Sequence, residues 1–195
     1  MNKTIDARKM ACPKPVILTK KAFDEALGGV ITTIVDNEVA VKNLEKLAAN
    51  SGFETEVEKV DEDYKVHIKT EEGAVITSVS NEELSDEVVA IGTNIMGSGS
   101  EELGEILMKG FIYTLTESKP YPKAVLFYNA GVKLTVEGSD SIEDLKKLEE
   151  AGVEIISCGT CLNYFDIADK LKVGEVSNMY TIVETLKAAG NTIRI

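Results

Sequence analysis

Two cysteine-bearing stretches hold the residue types that could do chemistry. The first is Ala11-Cys12-Pro13-Lys14-Pro15, with the apolar run Val16-Ile17-Leu18 behind it. Alternating prolines ahead of an apolar run read as the first turn of a helix. Proline has no N–H to leave unpaired there, and its φ is already near the helical value. A helix opening at Pro13 puts Cys12 at or next to the N-cap, its sulfur facing unpaired amides and the positive end of the helix dipole. Such a position favours thiolate, the nucleophilic form. Charge points the same way, since residues 1–21 set Lys3, Arg8, Lys9, Lys14, Lys20 and Lys21 against Asp6 alone. The competing use of a free cysteine is as a small buried hydrophobe. The flanking prolines favour an exposed, activated thiol instead.

The second stretch is Cys158-Gly159-Thr160-Cys161, at the end of an apolar run that reads as a core strand. The carboxyl edge of a parallel sheet is where sites collect. A structural zinc site needs four ligands, and only Cys12 and His67 remain to supply them, both in the other half of the chain, so neither metal nor cofactor is expected. A C-x-x-C pair can also cycle between dithiol and disulfide. Simple packing suits Cys158, last in its strand, better than Cys161, which is expected in a loop. His67, the single histidine, reads as a solvated strand residue. The loop Gly97-Ser98-Gly99-Ser100 lacks the Walker and dinucleotide glycine spacings. With Glu101 and Glu102 next, it reads as a helix cap, either Ser98 boxed with Glu101 or Ser100 as N-cap.

The elements that must position these residues fall into two groups. Lys3 to Ala7 reads as a strand, and Pro13 to Leu27 as a helix with Val16, Phe23, Ala26 and Leu27 on one face, stopped by Gly28-Gly29. Val30 to Val35 is a strand. Asp36 or Asn37 caps a second helix carrying Ala40, Leu44, Leu47 and Ala48, which Gly52 ends. Phe53 to Val60 and Tyr64 to Thr70 form a hairpin around Asp61-Glu62-Asp63, with Glu54, Glu56 and Glu58 opposite Lys65, His67 and Lys69. The result is a β-α-β-α-β-β two-layer sandwich over residues 1–70. Residues 71–87 hold six acidic and no basic side chains and read as an acidic linker, with a short extended piece at Ala74 to Val79. From Val88, continuous apolar strands alternate with helices: strands Val88 to Gly92, Ala124 to Tyr128, Val153 to Cys158 and Thr192 to Ile195. The helices are marked by Leu103, Leu107, Phe111 and Leu115; by Ile142, Leu145 and Leu148; by Phe165, Ala168 and Leu171; and by Met179, Ile182, Val183 and Leu186. Residues 88–195 are therefore expected to form a flavodoxin- or Rossmann-like three-layer domain around a parallel sheet, and the whole chain to be α/β.

Composition narrows the partners. Of the net charge of −12, residues 1–70 carry −1, from eleven basic and twelve acidic side chains, leaving −11 to residues 71–195. So acidic a second domain repels phosphate backbones, which argues against direct nucleic-acid binding. No run approaches the roughly 20 apolar residues that span a bilayer, and the start is polar, so a soluble, cytoplasmic protein without a membrane partner is expected. Three cysteines, an odd number, argue against a structural disulfide framework.

Ile5-Asp6-Ala7-Arg8 followed by Cys12-Pro13-Lys14-Pro15 resembles the opening of the small TusA/SirA/YedF sulfur-carrier family. In that family the cysteine of a C-P-x-P motif holds a persulfide sulfur. The resemblance implies that Cys12 is the carrier and that Pro13 and Pro15 shape the loop and helix start. Lys9 stands where members usually have glycine, and Ala11 where a charged residue is common. Residues 88–195, with Cys158 at the strand end, resemble a DsrE-like domain. The match implies that Cys158 is an acceptor or second carrier, that Cys161 is an extra thiol, and that the domain can form a homo-oligomer; by thiol exchange Cys161 would resolve a persulfide on Cys158 by closing a disulfide. The fusion resembles YedF proteins, associated with selenium metabolism. The implied function is carriage of sulfane sulfur or selenium, a sulfurtransferase-like role between a cysteine desulfurase or other donor and a downstream acceptor protein. Two alternatives remain: a dithiol redox module built on Cys158 and Cys161, and a non-catalytic regulatory module that docks through its acidic domain.

Overall fold

The computed structural model describes residues 2–25, 28–70 and 84–195. The chain divides into two compact units, Met1–Ser78 and Val79–Ile195. The first runs β1 (Lys3–Asp6), α1 (Lys14–Glu25), β2 (Gly29–Val35), α2 (Glu38–Asn50), β3 (Glu54–Val60) and β4 (Asp63–Thr70). Its sheet has the order β1-β2-β4-β3, with β1 parallel to β2 and the other pairs antiparallel. Alternation decides which face is covered. Ile31 and Val35 of β2 and Val66 and Ile68 of β4 point to the side where Ala22 and Phe23 of α1 and Val41, Leu44 and Ala48 of α2 pack, giving one buried core under both helices. Ala26 and Leu27, expected on that helix face, lie outside the described residues.

Asn37 caps α2 by accepting from the Ala40 N–H at 2.8 Å. The helix closes at Gly52, whose φ of 76° allows Phe53 N–H to reach back to the Ala48 carbonyl at 2.9 Å. The hairpin has the expected register, Glu54 opposite Lys69, Glu56 opposite His67 and Glu58 opposite Lys65. His67 is engaged rather than freely solvated: Nδ1 lies 2.9 Å from the Thr32 hydroxyl and Nε2 lies 3.6 Å from a Glu58 carboxylate oxygen.

Most of the expected linker, including the piece at Ala74 to Val79, lies outside the described residues. Its last part belongs to the second unit, where Leu84 bridges to Tyr121 and Glu87 opens β5 (Glu87–Ile91). There follow α3 (Glu101–Glu117), β6 (Ala124–Phe127), a 3-10 turn at Asn129–Leu134, α4 (Ile142–Glu150), β7 (Glu154–Cys158), α5 (Gly159–Tyr164), β8 (Glu175–Ser177), α6 (Met179–Lys187) and β9 (Asn191–Arg194). The five strands are all parallel in the order β8-β7-β6-β5-β9, and β6 is buried along its whole length, as a strand covered on both faces must be. This is the Rossmann-like arrangement expected, with one strand more. β8 is three residues, Glu-Val-Ser, too short and polar to announce itself.

Two helices differ from expectation. In α3 the buried positions are Gly104, Met108, Ile112 and Thr116, whereas Leu103, Ile106 and Leu107 are exposed. Gly104 helps fix this face, because a Cβ there would come within 2.9 Å of Ile95. Of the expected stripe, Phe111 and Leu115 pack against the core, while Leu103 and Leu107 are exposed. Ser100 is the N-cap, accepting from Leu103 N–H at 3.3 Å, so the glycine-serine loop serves as a cap. The third expected helix, around Phe165 to Leu171, is a single 3-10 turn at Ala168–Lys170; the helix proper is α5, directly after Cys158. It stops before Asp166, which adopts a left-handed φ of 56°. Cys161 thus lies on a helix rather than in a loop.

Candidate functional site

Cys12 closes the loop between β1 and α1. The first helical hydrogen bond runs from Ile17 N–H to the Pro13 carbonyl at 3.1 Å, which makes Pro13 the N-cap and puts Lys14 and Pro15 in the first turn. Pro15, not Pro13, is the proline inside the helix, and Cys12 sits one residue before the cap. The Cys12–Pro13 bond is cis, and Lys14 N–H closes the turn on the Ala11 carbonyl at 3.0 Å. Two ties anchor the flanks: Ala7 N–H donates to the Ile34 carbonyl at 2.9 Å, and the buried Thr19 hydroxyl, 2.8 Å from that of Thr33 on β2, donates to the Pro15 carbonyl at 2.9 Å.

The Cys12 side chain is exposed, with the Asn43 amide of α2 3.9 Å from its sulfur. It borders a shallow cleft of about 40 Å³ with Met10, Pro15, Val16, Asn37, Val39, Ala40 and Asn43. Two of the basic side chains of residues 1–21 are paired with carboxylates. Arg8 is held by Asp6 at 2.6 Å and by Asp63 at 3.0 Å, and Lys3 pairs with Glu25. The Arg8 guanidinium in turn depresses the Asp6 carboxyl to about 2. Asn43 and Asp36 carried no signal in the local sequence, because both reach the loop from another element.

Lys9 explains its own position. Its φ is 60°, and its N–H donates to the Asp36 carboxylate at 2.7 Å, which holds the Asp36 pKa below the usual carboxylate range. A left-handed backbone costs a non-glycine residue about 1 kcal/mol, and glycine would relieve it while loosening the unfolded chain by a smaller or similar amount. Lys9→Gly is expected to be neutral or to stabilise the first unit by up to about 1 kcal/mol, and Lys9→Val to destabilise it; chemical-denaturation midpoints at unchanged slope report both.

In the second unit the two sulfurs differ sharply. Cys158, at the end of β7, is 1% exposed and part of the core; Cys161, one turn into α5, is half-buried. The Cys161 sulfur accepts from the Asn129 N–H at 3.1 Å, and Asn129 is held at a φ of 49° where the 3-10 turn begins. Burial pushes the Cys161 thiol up, as does the neighbouring Cys158 thiol, while the Asn129 N–H pulls it back. Thiolate is the reactive form, so alkylation of Cys161 by iodoacetamide is expected to keep accelerating with pH beyond the range where an ordinary cysteine levels off. Rates against pH in a Cys158→Ser chain, where Cys161 is the remaining cysteine of its tryptic peptide, check this. Asn129 lies 32 positions from its partner, and only the strand-turn sequence Tyr128-Asn129-Ala130-Gly131 hinted at a tight bend. Among the described residues no three His, Cys, Asp or Glu side chains gather as a metal set, and no helix is long and apolar enough to cross a membrane.

Comparison with known proteins bears on the first unit. The family described as "Sulfurtransferase TusA" matches residues 3–70, the stretch from β1 to β4 that contains Cys12. The "Putative sulfur carrier protein YrkI" of Bacillus subtilis (strain 168) is 34% identical over 61 residues, 31% of this chain and 81% of that protein. The chain belongs to the TusA family. Membership rests on the first unit, and its C-P-x-P segment there is Cys12-Pro13-Lys14-Pro15. Among solved structures, a SirA-like protein from Desulfitobacterium hafniense is 42% identical, covering 36% of this chain and 99% of that one with a TM-score of 0.34. The ychN protein of E. coli is 18% identical, covering 56% and 97% respectively, with a TM-score of 0.44.

Proposed function

We propose that this TusA-family protein carries sulfane sulfur, or selenium in its place, on Cys12. The observation that supports it best is that Cys12, the exposed thiol of the three, stands in the family-matched stretch, beside the N-cap of α1. Cys12 thiolate attacks the terminal sulfur of a donor persulfide, the donor thiolate leaves, and the sulfur is then displaced in turn by an acceptor thiolate. A cysteine desulfurase suits the donor role and a thiol-bearing protein that of acceptor, in the cytoplasm. The second unit is read as DsrE-like, making the chain a YedF-type fusion of a carrier (1–70), a linker (71–87) and a second sulfur-handling domain (88–195) with Cys158 and Cys161 as its thiols. The exposed Leu103, Ile106 and Leu107 of α3 support assembly of that domain with further copies.

The test is to incubate the full chain with a cysteine desulfurase and cysteine, trap thiols without reductant, and map added sulfur by peptide mass spectrometry. Sulfur on the Cys12 peptide is expected. A bare Cys12 beside a Cys158–Cys161 disulfide would favour a dithiol redox module instead, a reading supported by the adjacency of those two thiols.

A further inference from the structure

We infer that in the second unit Cys161 takes the sulfur and Cys158 releases it, the reverse of the order the strand-end position suggests. The inference rests on the sulfur-carrier reading and assigns an order within it. A persulfide adds a second sulfur about 2.05 Å beyond the first. At Cys158, 1% exposed in a core with Ile156 and Leu162, that atom has to displace packed side chains. Cys161 is only half-buried, so an added sulfur there displaces less packed structure.

One neighbour of Cys161 offsets part of the burial that holds its thiol proton on. The Cys161 sulfur already faces a fixed donor, the Asn129 N–H at 3.1 Å, which steadies the negative charge on sulfur when the proton leaves. That amide is aimed by packing rather than by chance. Gly131, in the same 3-10 turn, lies so close to β5 that a Cβ there would meet the Ile91 carbonyl oxygen at 2.2 Å. Gly159, between the cysteines, is pressed against β8 in the same way, with Val176 at 2.9 Å from a Cβ. The C-x-x-C turn and its donor are thus both fixed against the sheet.

The steps balance. Cys161 thiolate attacks the outer sulfur of a persulfide R–S–SH; a new S–S bond forms on Cys161, the old one breaks, and R–S⁻ leaves. Cys158 then attacks the Cys161 sulfur. The Cys158–Cys161 bond forms, hydrosulfide departs with the electron pair of the broken bond, and the proton of the Cys158 thiol goes to solvent. The sulfane sulfur is reduced to hydrosulfide and the two thiols are oxidised to a disulfide, which an external dithiol must reduce before the next cycle.

The test treats full-length Cys158→Ser, Cys158→Ala and Cys161→Ser with glutathione persulfide. Both cysteines fall on one tryptic peptide, 148–170, so each single-cysteine variant identifies its own site, and hydrogen exchange verifies that each is folded. Both Cys158 variants are expected to retain sulfur on Cys161, roughly tenfold or more above what Cys161→Ser retains on Cys158. The unsubstituted chain should release hydrosulfide as its disulfide forms. Sulfur held on Cys158 in Cys161→Ser, with equal or less on Cys161 in the Cys158 variants, overturns the order. If peptide 148–170 stays bare in every variant while the Cys12 peptide gains sulfur, the inference fails and the carrier reading stands. A bare Cys12 peptide in all of them fails the carrier reading itself.

Discussion

Cys12→Ser is expected to abolish sulfur loading of the first unit, leaving the peptide around position 12 at background after treatment with desulfurase and cysteine. The loss should exceed about a hundredfold, since a hydroxyl is far less ionised and less nucleophilic than a thiol near neutral pH and forms no bond equivalent to a persulfide. Folding should be untouched. The residue is exposed, its nearest polar contact is the Asn43 amide at 3.9 Å, and the turn closes through backbone groups, Lys14 N–H on the Ala11 carbonyl. A folded Cys12→Ser chain that still gathers sulfur on residues 3–70 would remove the carrier assignment, because all other cysteines lie beyond them.

Gly131→Ala is expected to have the largest effect on stability, about 3 kcal/mol against the second unit alone. The added Cβ would sit 2.2 Å from the Ile91 carbonyl oxygen and 3.0 Å from its carbon, both backbone atoms that no rotamer change can move aside. The turn at Asn129–Leu134 has to lift off the end of β5, and Val132 and Leu134, both buried, lift with it. Hydrogen exchange resolved by unit should show faster opening around β5, β6 and β7 with β1 to β4 unchanged. The same shift draws the Asn129 amide away from Cys161. A variant as stable as the parent would mean that the turn has slack the close approach does not suggest.

Where a feature depends on residues adjacent in sequence, it was legible. The hairpin register follows from alternating Glu and Lys or His rows around a turn, and both Gly52 and Gly152 end their helices where a left-handed residue was called for, with φ of 76° and 94°. Cys12 was placed beside a helix start because proline geometry is local. What depended on a partner from elsewhere was not legible. Hydropathy put Leu103 and Leu107 inside, yet contact with Ile95 and Met96 selected the face of Gly104. Helix α5 was missed because its six residues carry no apolar period, although the packing of Cys158 and the lesser burial of Cys161 were both expected from the strand end. Lys9 stood out as a lysine where glycine is usual, and its φ of 60° shows what glycine would supply there.

The ties flanking Cys12 set how far its sulfur can travel. Ala7 is hydrogen-bonded to β2 on one side, Thr19 fastens the first turn of α1 to the same strand on the other, and Lys9 is held from Asp36 in between. The cysteine is therefore mounted on a short, braced loop, unlike a cofactor on a long swinging arm. On the proposed carrier reading, motion of the loop would not carry the sulfur across a distance. Donor and acceptor must each bring a reactive sulfur down to the rim formed by Met10, Val39 and Asn43, and the selectivity of transfer then resides in which protein surfaces can come that close.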